Sequence, residues 1–374
     1  MAADFISLPS DSSNKEQLDR AARALTEGAL VAFPTETVYG IAANAAKPDS
    51  VERLRDIKGG SVPRPFTVHI GRRSDCEDFV PEPTAMGRRI MKKGWPGPLT
   101  LVFPVDNPRQ TEAYGKLSKV GAESVYLDNT VGVRFPDHPI AVALLTQANV
   151  PIIASSANVT GQPPPTEAKG IHERLGDRID LILDGGPTRY KKGSTIVSLN
   201  GDGYHLLRQG VLDERTIRRL ATLSILFVCT GNTCRSPMAE GIFKQMVARK
   251  LGCDVADLPR RGILVYSAGT LGVSGGRASK EAVEVCRMRG IDISEHVARG
   301  LTVELVHTAD CIYTMGSYHI DVVRSLAPRQ ADKALPLDSD RDISDPIGGT
   351  VADYARAADR ITDALCQRIR EVPL

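Results

Sequence analysis

Short apolar runs of four to six residues recur from residue 29 onward, separated by amphipathic stretches, and they constrain this chain more than any other feature. Runs of that length suit buried strands and the stretches between them suit helices, so the chain reads as mixed α/β throughout. In the first part, strands are expected at 29–33, 66–70, 99–103, 131–134, 151–154, 181–183, 195–199 and 204–207. Helices such as 50–57 and 84–93 fall between them. Proline and glycine punctuate this part heavily, as in Trp95-Pro96-Gly97-Pro98 and residues 161–165. A second series opens at Ser224 with Ile225-Leu226-Phe227-Val228. It continues with strands at 264–267, 311–314 and 334–337 and helices from about Pro237, Ser279, Thr302 and Thr350. That alternation predicts a doubly wound parallel sheet.

At 374 residues the chain exceeds one ordinary core, and 42% hydrophobic with 25% charged residues excludes a disordered or fibrous chain. No repeat of 20–50 residues interrupts it. The expected organisation is a first domain over 1–212, a connection over the arginine-rich 213–223 with the boundary near Leu220, and a second domain over 224–374. No apolar run approaches the roughly 18 residues of a spanning helix, and residues 1–13 lack the basic start and apolar stretch of a signal peptide. A soluble, unexported, cytoplasmic chain with no membrane partner is expected. A net charge of +2 weighs against a dedicated nucleic-acid binder, though it leaves room for a local basic groove. Seven cysteines, six of them after residue 228, suit reduced thiols better than a disulfide framework.

The sharpest local signal is Cys229-Thr230-Gly231-Asn232-Thr233-Cys234-Arg235-Ser236-Pro237, between a predicted strand and a predicted helix. Gly231 and Asn232 tolerate left-handed backbone, so the loop can curl with its N–H groups inward. Pro237 suits a first helical turn, where its missing donor costs nothing. The result is a nest at a helix N-terminus, suited to an anion, to which Arg235 adds a two-pronged donor. Cys229 beside that cradle is placed as a thiolate nucleophile, with Ser236 able to donate to the sulfur. The bland alternative is a buried structural cysteine followed by an ordinary helix cap. Thiolate attack on phosphorus needs an acid for the leaving group. Asp345, held extended by Pro346 and followed by Gly348-Gly349, is the candidate, although alone it reads as a loop or cap residue.

With those residues in view, 224–374 resembles the low-molecular-weight protein tyrosine phosphatase family. Tyr266-Ser267-Ala268-Gly269-Thr270, Gly290-Ile291-Asp292-Ile293-Ser294 and Asp345-Pro346 follow the loop in family order. The resemblance implies a phosphocysteine on Cys229, phosphate binding by Arg235, a phosphate loop of Thr230, Gly231, Asn232, Thr233, Cys234 and Ser236, Asp345 as acid and then base, and no cofactor. Thr233 stands where many family members have Ile, and Ile347-Gly348-Gly349-Thr350 replaces aromatic residues. Both resemble the bacterial protein arginine phosphatase branch and point to phosphoarginine over phosphotyrosine. Cys234 can pair with Cys229 as a reversible disulfide under peroxide.

In the first part, Pro34-Thr35-Glu36-Thr37-Val38-Tyr39-Gly40 by itself is a turn, and Ser155-Ser156-Ala157-Asn158 a helix cap or Asx-turn. Lys58 alone reads as solvated, and Arg134 and Arg208 close predicted strands. Together with Trp95-Pro96-Gly97-Pro98-Leu99-Thr100, Asp137-His138-Pro139 and Ser194-Thr195-Ile196-Val197, they resemble the YrdC/Sua5 family of threonylcarbamoyl-AMP synthases over about 14–212. The resemblance implies a twisted mixed-sheet α/β domain. It implies that Thr37, His69 and Arg134 hold threonine, while Lys58, Arg64, Thr130, Ser156, Asn158, Thr166, Ser194 and Arg208 line the ATP side. Threonine, bicarbonate and ATP, with Mg²⁺ on the triphosphate and no metal held by the protein itself, would give the activated donor for a tRNA adenosine modification. RNA and tRNA-modification proteins are the implied partners. The family's Lys-x-Arg-Pro is Lys58-Gly59-Gly60-Ser61-Val62-Pro63-Arg64-Pro65 here, so Gly60 stands at the arginine position and Arg64 is the candidate replacement. Two other readings keep the phosphatase: a first domain that only binds nucleotide or RNA, double-stranded RNA included, and one that serves as a regulatory scaffold.

Overall fold

The apolar runs pair as strands in two separate sheets. The computed structural model describes residues 3–8, 15–60, 65–201, 203–272 and 274–374. By its internal contacts the chain divides into two units, Met1–Ala221 and Thr222–Leu374.

The first unit is built on ten strands: β1 (Asp4–Ser7), β2 (Val31–Phe33), β3 (Gly40–Asn44), β4 (Thr67–His69), β5 (Leu99–Pro104), β6 (Thr130–Arg134), β7 (Ile152–Ser156), β8 (Leu181–Asp184), β9 (Thr195–Asn200) and β10 (Gly203–Arg208). They form one mixed sheet in the order β1-β8-β2-β3-β7-β4-β6-β5-β9-β10. Successive side chains leave opposite faces, so Val31 and Phe33 enter one apolar cluster with Leu25 and Leu144 while Ala32 enters another with Leu54, Ile57 and Trp95. Register then assembles a polar centre. His69 of β4 and Thr100 of β5 both lie opposite Arg134 of β6, and Gly40 of β3 lies opposite Ser156 of β7. At Gly40 a Cβ would sit 3.0 Å from the Phe33 ring, so any larger residue would have to displace that ring.

Two strands here escape the sequence pattern. β1 is a short sheet edge with one buried residue, and β3 is the fully buried Gly-Ile-Ala-Ala-Asn, which is poor in branched and aromatic side chains. Residues 213–223, expected as a strandless connection, instead carry the helix Glu214–Ala221 and the first residue of the next strand. Ile217 and Ala221 are buried in the first unit's core, which fastens this helix there.

The second unit has four strands, β11 (Leu223–Cys229), β12 (Ile263–Gly269), β13 (Cys311–Thr314) and β14 (Ala334–Pro336), all parallel in the order β12-β11-β13-β14. Ile225 and Phe227 pack with Met238, Val285 and Ile361 on one face, and Leu226 and Val228 with Val306 and Val323 on the other. Helices therefore cover both faces, as doubly wound sheets require. Ser279, Thr302 and Thr350 cap the helices expected near them, while the helix Ser317–Leu326 is an addition to the sequence reading. The strand order reverses beside β11, so the crevice at its carboxyl end is where such a sheet places a ligand. Among the described residues, no helix is long and apolar enough to cross a membrane.

Candidate functional site

Cys229 is the last residue of β11, and the helix Arg235–Leu251 begins six residues later. Between them the loop turns on Asn232, at φ +56°, and its backbone N–H donates to Cys229 Sγ at 3.2 Å. Ser236 Oγ lies 2.9 Å from the same sulfur. The curl is held from outside. Asn232 Nδ2 donates to Ser236 Oγ (2.9 Å) and Ser267 Oγ (2.8 Å), and its Oδ1 accepts from the Arg299 N–H at 2.9 Å. Ser267 in turn donates to Glu240 at 2.7 Å, and His296 Nε2 sits 2.9 Å from the Asn232 carbonyl. Gly269 completes the floor, since a Cβ there would approach the Thr230 carbonyl oxygen to 2.8 Å.

The Arg235 side chain is 8% exposed and spans the loop to the acid segment. Its Nη1 donates to the Ile343 carbonyl at 3.0 Å, and its Nη2 to Thr230 Oγ1 at 3.2 Å and to the Asp345 carboxylate. Its Nε is buried with no hydrogen-bond partner among the described residues. Asp345, by contrast, is 37% exposed on a loop that continues through Gly348 at φ +76°. Thr233 is half-buried, with its hydroxyl 3.6 Å from Cys234 Sγ. Cys234 Sγ lies 3.2 Å from the Tyr354 hydroxyl, whose pKa is pushed up to about 12 by burial and by that sulfur. The loop thus brings a cysteine sulfur, the Asn232 N–H, a guanidinium and a carboxyl group to one end of the sheet, a set of groups suited to phosphoryl transfer.

In the first unit, a cavity of about 250 Å³ is lined by His69, Thr100, Arg134, Ser156, Ser194 and Arg208 among others. Arg134 Nη2 reaches Thr37 Oγ1 (2.7 Å), Glu36 Oε1 (2.9 Å) and Thr35 Oγ1 (3.3 Å). The second Glu36 oxygen accepts from the Asp137 N–H at 3.1 Å. His69 Nδ1 donates to the Thr67 carbonyl at 3.1 Å, and burial together with the Arg134 charge pushes its pKa down to about 3, so the ring is neutral. Arg208 donates to the Ser194 carbonyl through Nη2 (2.8 Å) and Nε (3.2 Å). Lys58 Nζ is bound by the carbonyls of Ser156 (3.0 Å) and Asn158 (2.6 Å), tying that cation to the serine-rich turn.

Of the expected residues, His69, Arg134, Ser156, Ser194 and Arg208 line the cavity, Thr37 adjoins it through Arg134, and Lys58 and Asn158 adjoin it through the Lys58 contact with Ser156. Thr130 stands at the far end of β6 from Arg134, with its hydroxyl on the Leu127 carbonyl, and does not line the cavity. Thr166 is half-buried and contributes its carbonyl to the Thr188 N–H, without lining the cavity either. Arg64 lies outside the described residues. Gly60 has φ +49°, and among the described residues a Cβ there would meet Asp56 Oδ1, at 3.7 Å. Among the described residues, no group of three or more His, Cys, Asp or Glu side chains could hold a metal ion. Sequence reasoning missed Glu36 and His319. A carboxylate inside a hydroxyl-rich turn near a strand-end arginine was the available signal for the first. A histidine just beyond the carboxyl end of a parallel strand was the signal for the second.

Residues 23–210 match the Sua5–YciO–YrdC family profile, described as telomere recombination, and residues 224–373 match low molecular weight phosphotyrosine protein phosphatase. The threonylcarbamoyl-AMP synthase of Bacillus subtilis is 40% identical over 206 residues, covering 55% of this chain and 57% of that protein, so the chain spans little more than half of that relative's length. The protein-arginine-phosphatase of the same organism is 36% identical over 155 residues, covering 40% of this chain and 97% of that protein. A crystal structure of P. abyssi Sua5 complexed with L-threonine is 22% identical with a TM-score of 0.52, covering 96% of this chain and 98% of that one, a likeness of fold. With a profile match over half its length, and a 36% identical relative covered almost end to end by the remainder, the chain belongs to the Sua5–YciO–YrdC family in its first unit and to the low-molecular-weight phosphotyrosine protein phosphatase family in its second.

Proposed function

We propose that the chain is a bifunctional enzyme, an L-threonylcarbamoyladenylate synthase joined to a cysteine-dependent protein phosphatase that prefers phosphoarginine. The phosphatase reading is carried by the Cys229 sulfur, set against the Asn232 N–H and the Ser236 hydroxyl and backed by the Arg235–Asp345 pair. In the first step the Cys229 thiolate attacks phosphorus, an S–P bond forms, and the P–N or P–O bond to the side chain breaks. Asp345 gives its proton to the departing nitrogen or oxygen. In the second step Asp345 takes a proton from water, whose oxygen attacks phosphorus. The S–P bond breaks, inorganic phosphate leaves, and the thiolate is restored. Thr233 is smaller than the Ile it replaces and adds a hydroxyl suited to a guanidinium nitrogen. Phosphate release from phosphoarginine and phosphotyrosine peptides, in the parent and in Thr233→Ile, tests this. The ratio of kcat/KM values should move toward phosphotyrosine in the variant, and a parent that favours phosphotyrosine, or an unmoved ratio, refutes it.

For the first unit, the cavity where Arg134, Arg208 and several hydroxyls meet supports threonine and ATP as ligands. Arg134 would hold the threonine carboxylate beside Thr37, while Lys58, Ser156, Ser194 and Arg208 would face the phosphates. The cavity's charged residues are cationic, so Mg²⁺ would be held by triphosphate oxygens and water and would neutralise charge there. Bicarbonate and threonine would supply the carbamate that joins AMP as pyrophosphate leaves, for transfer to tRNA with its modification proteins. Gly60 at the family's arginine position favours a second reading, a unit that binds nucleotide or RNA without catalysis. Pyrophosphate release by the full chain, dependent on threonine, bicarbonate and ATP together, decides between them. Seven cysteines outside any disulfide, four of them buried, suit a reducing cytoplasm.

A further inference from the structure

We propose that His319, through Thr230, is the residue that orients Arg235 for phosphate; this rests on the phosphatase reading of the second unit. His319 is 1% exposed, takes no part in the two chemical steps, and lies in the helix that follows β13. Its Nδ1 is 3.2 Å from the Gly316 carbonyl, and a carbonyl can only accept, so Nδ1 carries the proton. Burial, and then the Arg235 charge, lower its pKa, which leaves the ring neutral and Nε2 an acceptor. Nε2 is 3.1 Å from Thr230 Oγ1, so the threonine O–H must point at the histidine. The lone pairs of Thr230 Oγ1 are then turned to Arg235 Nη2, 3.2 Å away.

The direction of every bond in this chain is therefore fixed, from Arg235 to Thr230, to His319, to Gly316. Its effect is selective. Thr230 takes one Nη2 hydrogen and the Ile343 carbonyl takes Nη1 at 3.0 Å, which pins the guanidinium plane. The edge formed by Nε–H and the other Nη2–H stays available. At present Asp345 accepts from Nη2, and Nε is buried with no partner among the described residues. That edge presents two parallel donors to two phosphate oxygens once Asp345 moves off to act as an acid. A free threonine rotor would turn its O–H toward Arg235 in some orientations and repel the very donor it should hold. His319 removes those orientations. The charged groups around the imidazole are Arg235, which can only donate, Asp342, which accepts from the Ser317 N–H and hydroxyl, and Asp345, which accepts from Arg235.

The test uses the full chain, with inorganic phosphate as the calorimetric probe and phosphoarginine peptide as substrate. Thr230→Val and His319→Leu should each weaken phosphate binding about threefold to tenfold, the worth of one hydrogen bond, and raise KM more than they lower kcat. The double variant should be no weaker than the worse single one, and Thr230→Ser should bind like the parent. Nitrogen shifts of the imidazole should report a neutral ring protonated at Nδ1. Additive losses, an Nε2–H tautomer, or phosphate affinity unchanged in Thr230→Val would overturn the orienting role while leaving the phosphatase reading intact. A parent chain that neither binds phosphate nor turns over would overturn both.

Discussion

Glu36 offers the most demanding test of how the first unit is held together. Its side chain is fully buried and pairs at 2.9 Å with Arg134, itself only 7% exposed. In Glu36→Gln the amide oxygen still accepts from Arg134, and Thr35 and Thr37 keep their contacts, but the compensating charge is gone. Leaving one member of a buried pair alone costs about 3 to 5 kcal/mol, and the retained shape puts this substitution at the lower end, about 3 kcal/mol. At roughly 2 to 4 °C per kcal/mol for a unit of this size, the first unit should melt about 6 to 12 °C lower. Scanning calorimetry of the full chain reads this, with loss of phosphatase turnover on heating as the internal control for the second unit. Arg134→Met should be strongly destabilising in the parent and much less so on the Glu36→Gln background, because the second change removes the orphaned charge. A melting point within about 1 °C of the parent for Glu36→Gln, or fully additive losses in the cycle, would show that the pair carries no such weight.

The other predictions concern chemistry. Cys229→Ser should abolish phosphatase turnover without shifting either melting transition, since a serine hydroxyl is a far weaker nucleophile than a cysteine sulfur; peptide assays and calorimetry check it. Asp345→Asn should slow substrates with poor leaving groups most, which a series of aryl phosphates of graded leaving-group pKa will reveal. Gly60→Arg costs about 1 to 2 kcal/mol for a left-handed residue at φ +49°, so the variant should fold and, on the synthase reading, bind ATP at least threefold more tightly. Equal ATP affinity by calorimetry would show that position 60 does not reach the phosphates. Mild peroxide should join Cys229 to Cys234, both buried in one loop, and mass spectrometry finding only sulfinic or sulfonic acid at Cys229 would count against it.

Legibility in the sequence followed the strength of local signals. Strands with branched or aromatic runs, such as Ile225-Leu226-Phe227-Val228, announce themselves, and so do helices capped by Ser279, Thr302 and Thr350. β3 does not, because its burial comes from neighbours on both sides rather than from its own composition. The same division holds at the sites. The phosphate loop lies within nine consecutive residues and could be read as a unit. The cavity of the first unit draws on residues from Val38 to Arg208, and register across β3, β4, β6 and β7 helps bring them together. Glu36 and His319 act by contact with residues 98 and 89 positions away, which no local pattern encodes.

The two units use one arrangement in two ways, and exposure tells them apart. Each holds an arginine between a carboxylate and a threonine hydroxyl: Arg134 with Glu36 and Thr37, Arg235 with Asp345 and Thr230. Glu36 is 0% exposed and also bound by the Asp137 N–H, so it cannot leave without stranding a buried charge. It is a fixed clamp, and whatever Arg134 binds must use the hydrogens that Glu36 leaves over, among them the unpartnered Nε. Asp345 is 37% exposed on a glycine-flanked loop, so water can solvate it as it parts from Arg235. Its hold on the guanidinium is therefore weak enough to be exchanged for a phosphate dianion, which offers the same fork more charge. On the proposed phosphatase mechanism, an acid that must first give up the arginine and then face the leaving group has to be mobile. A carboxylate that only aims an arginine has to be buried, and the sequence separates the two by placing one in a strand-closing turn and the other beside Gly348 and Gly349.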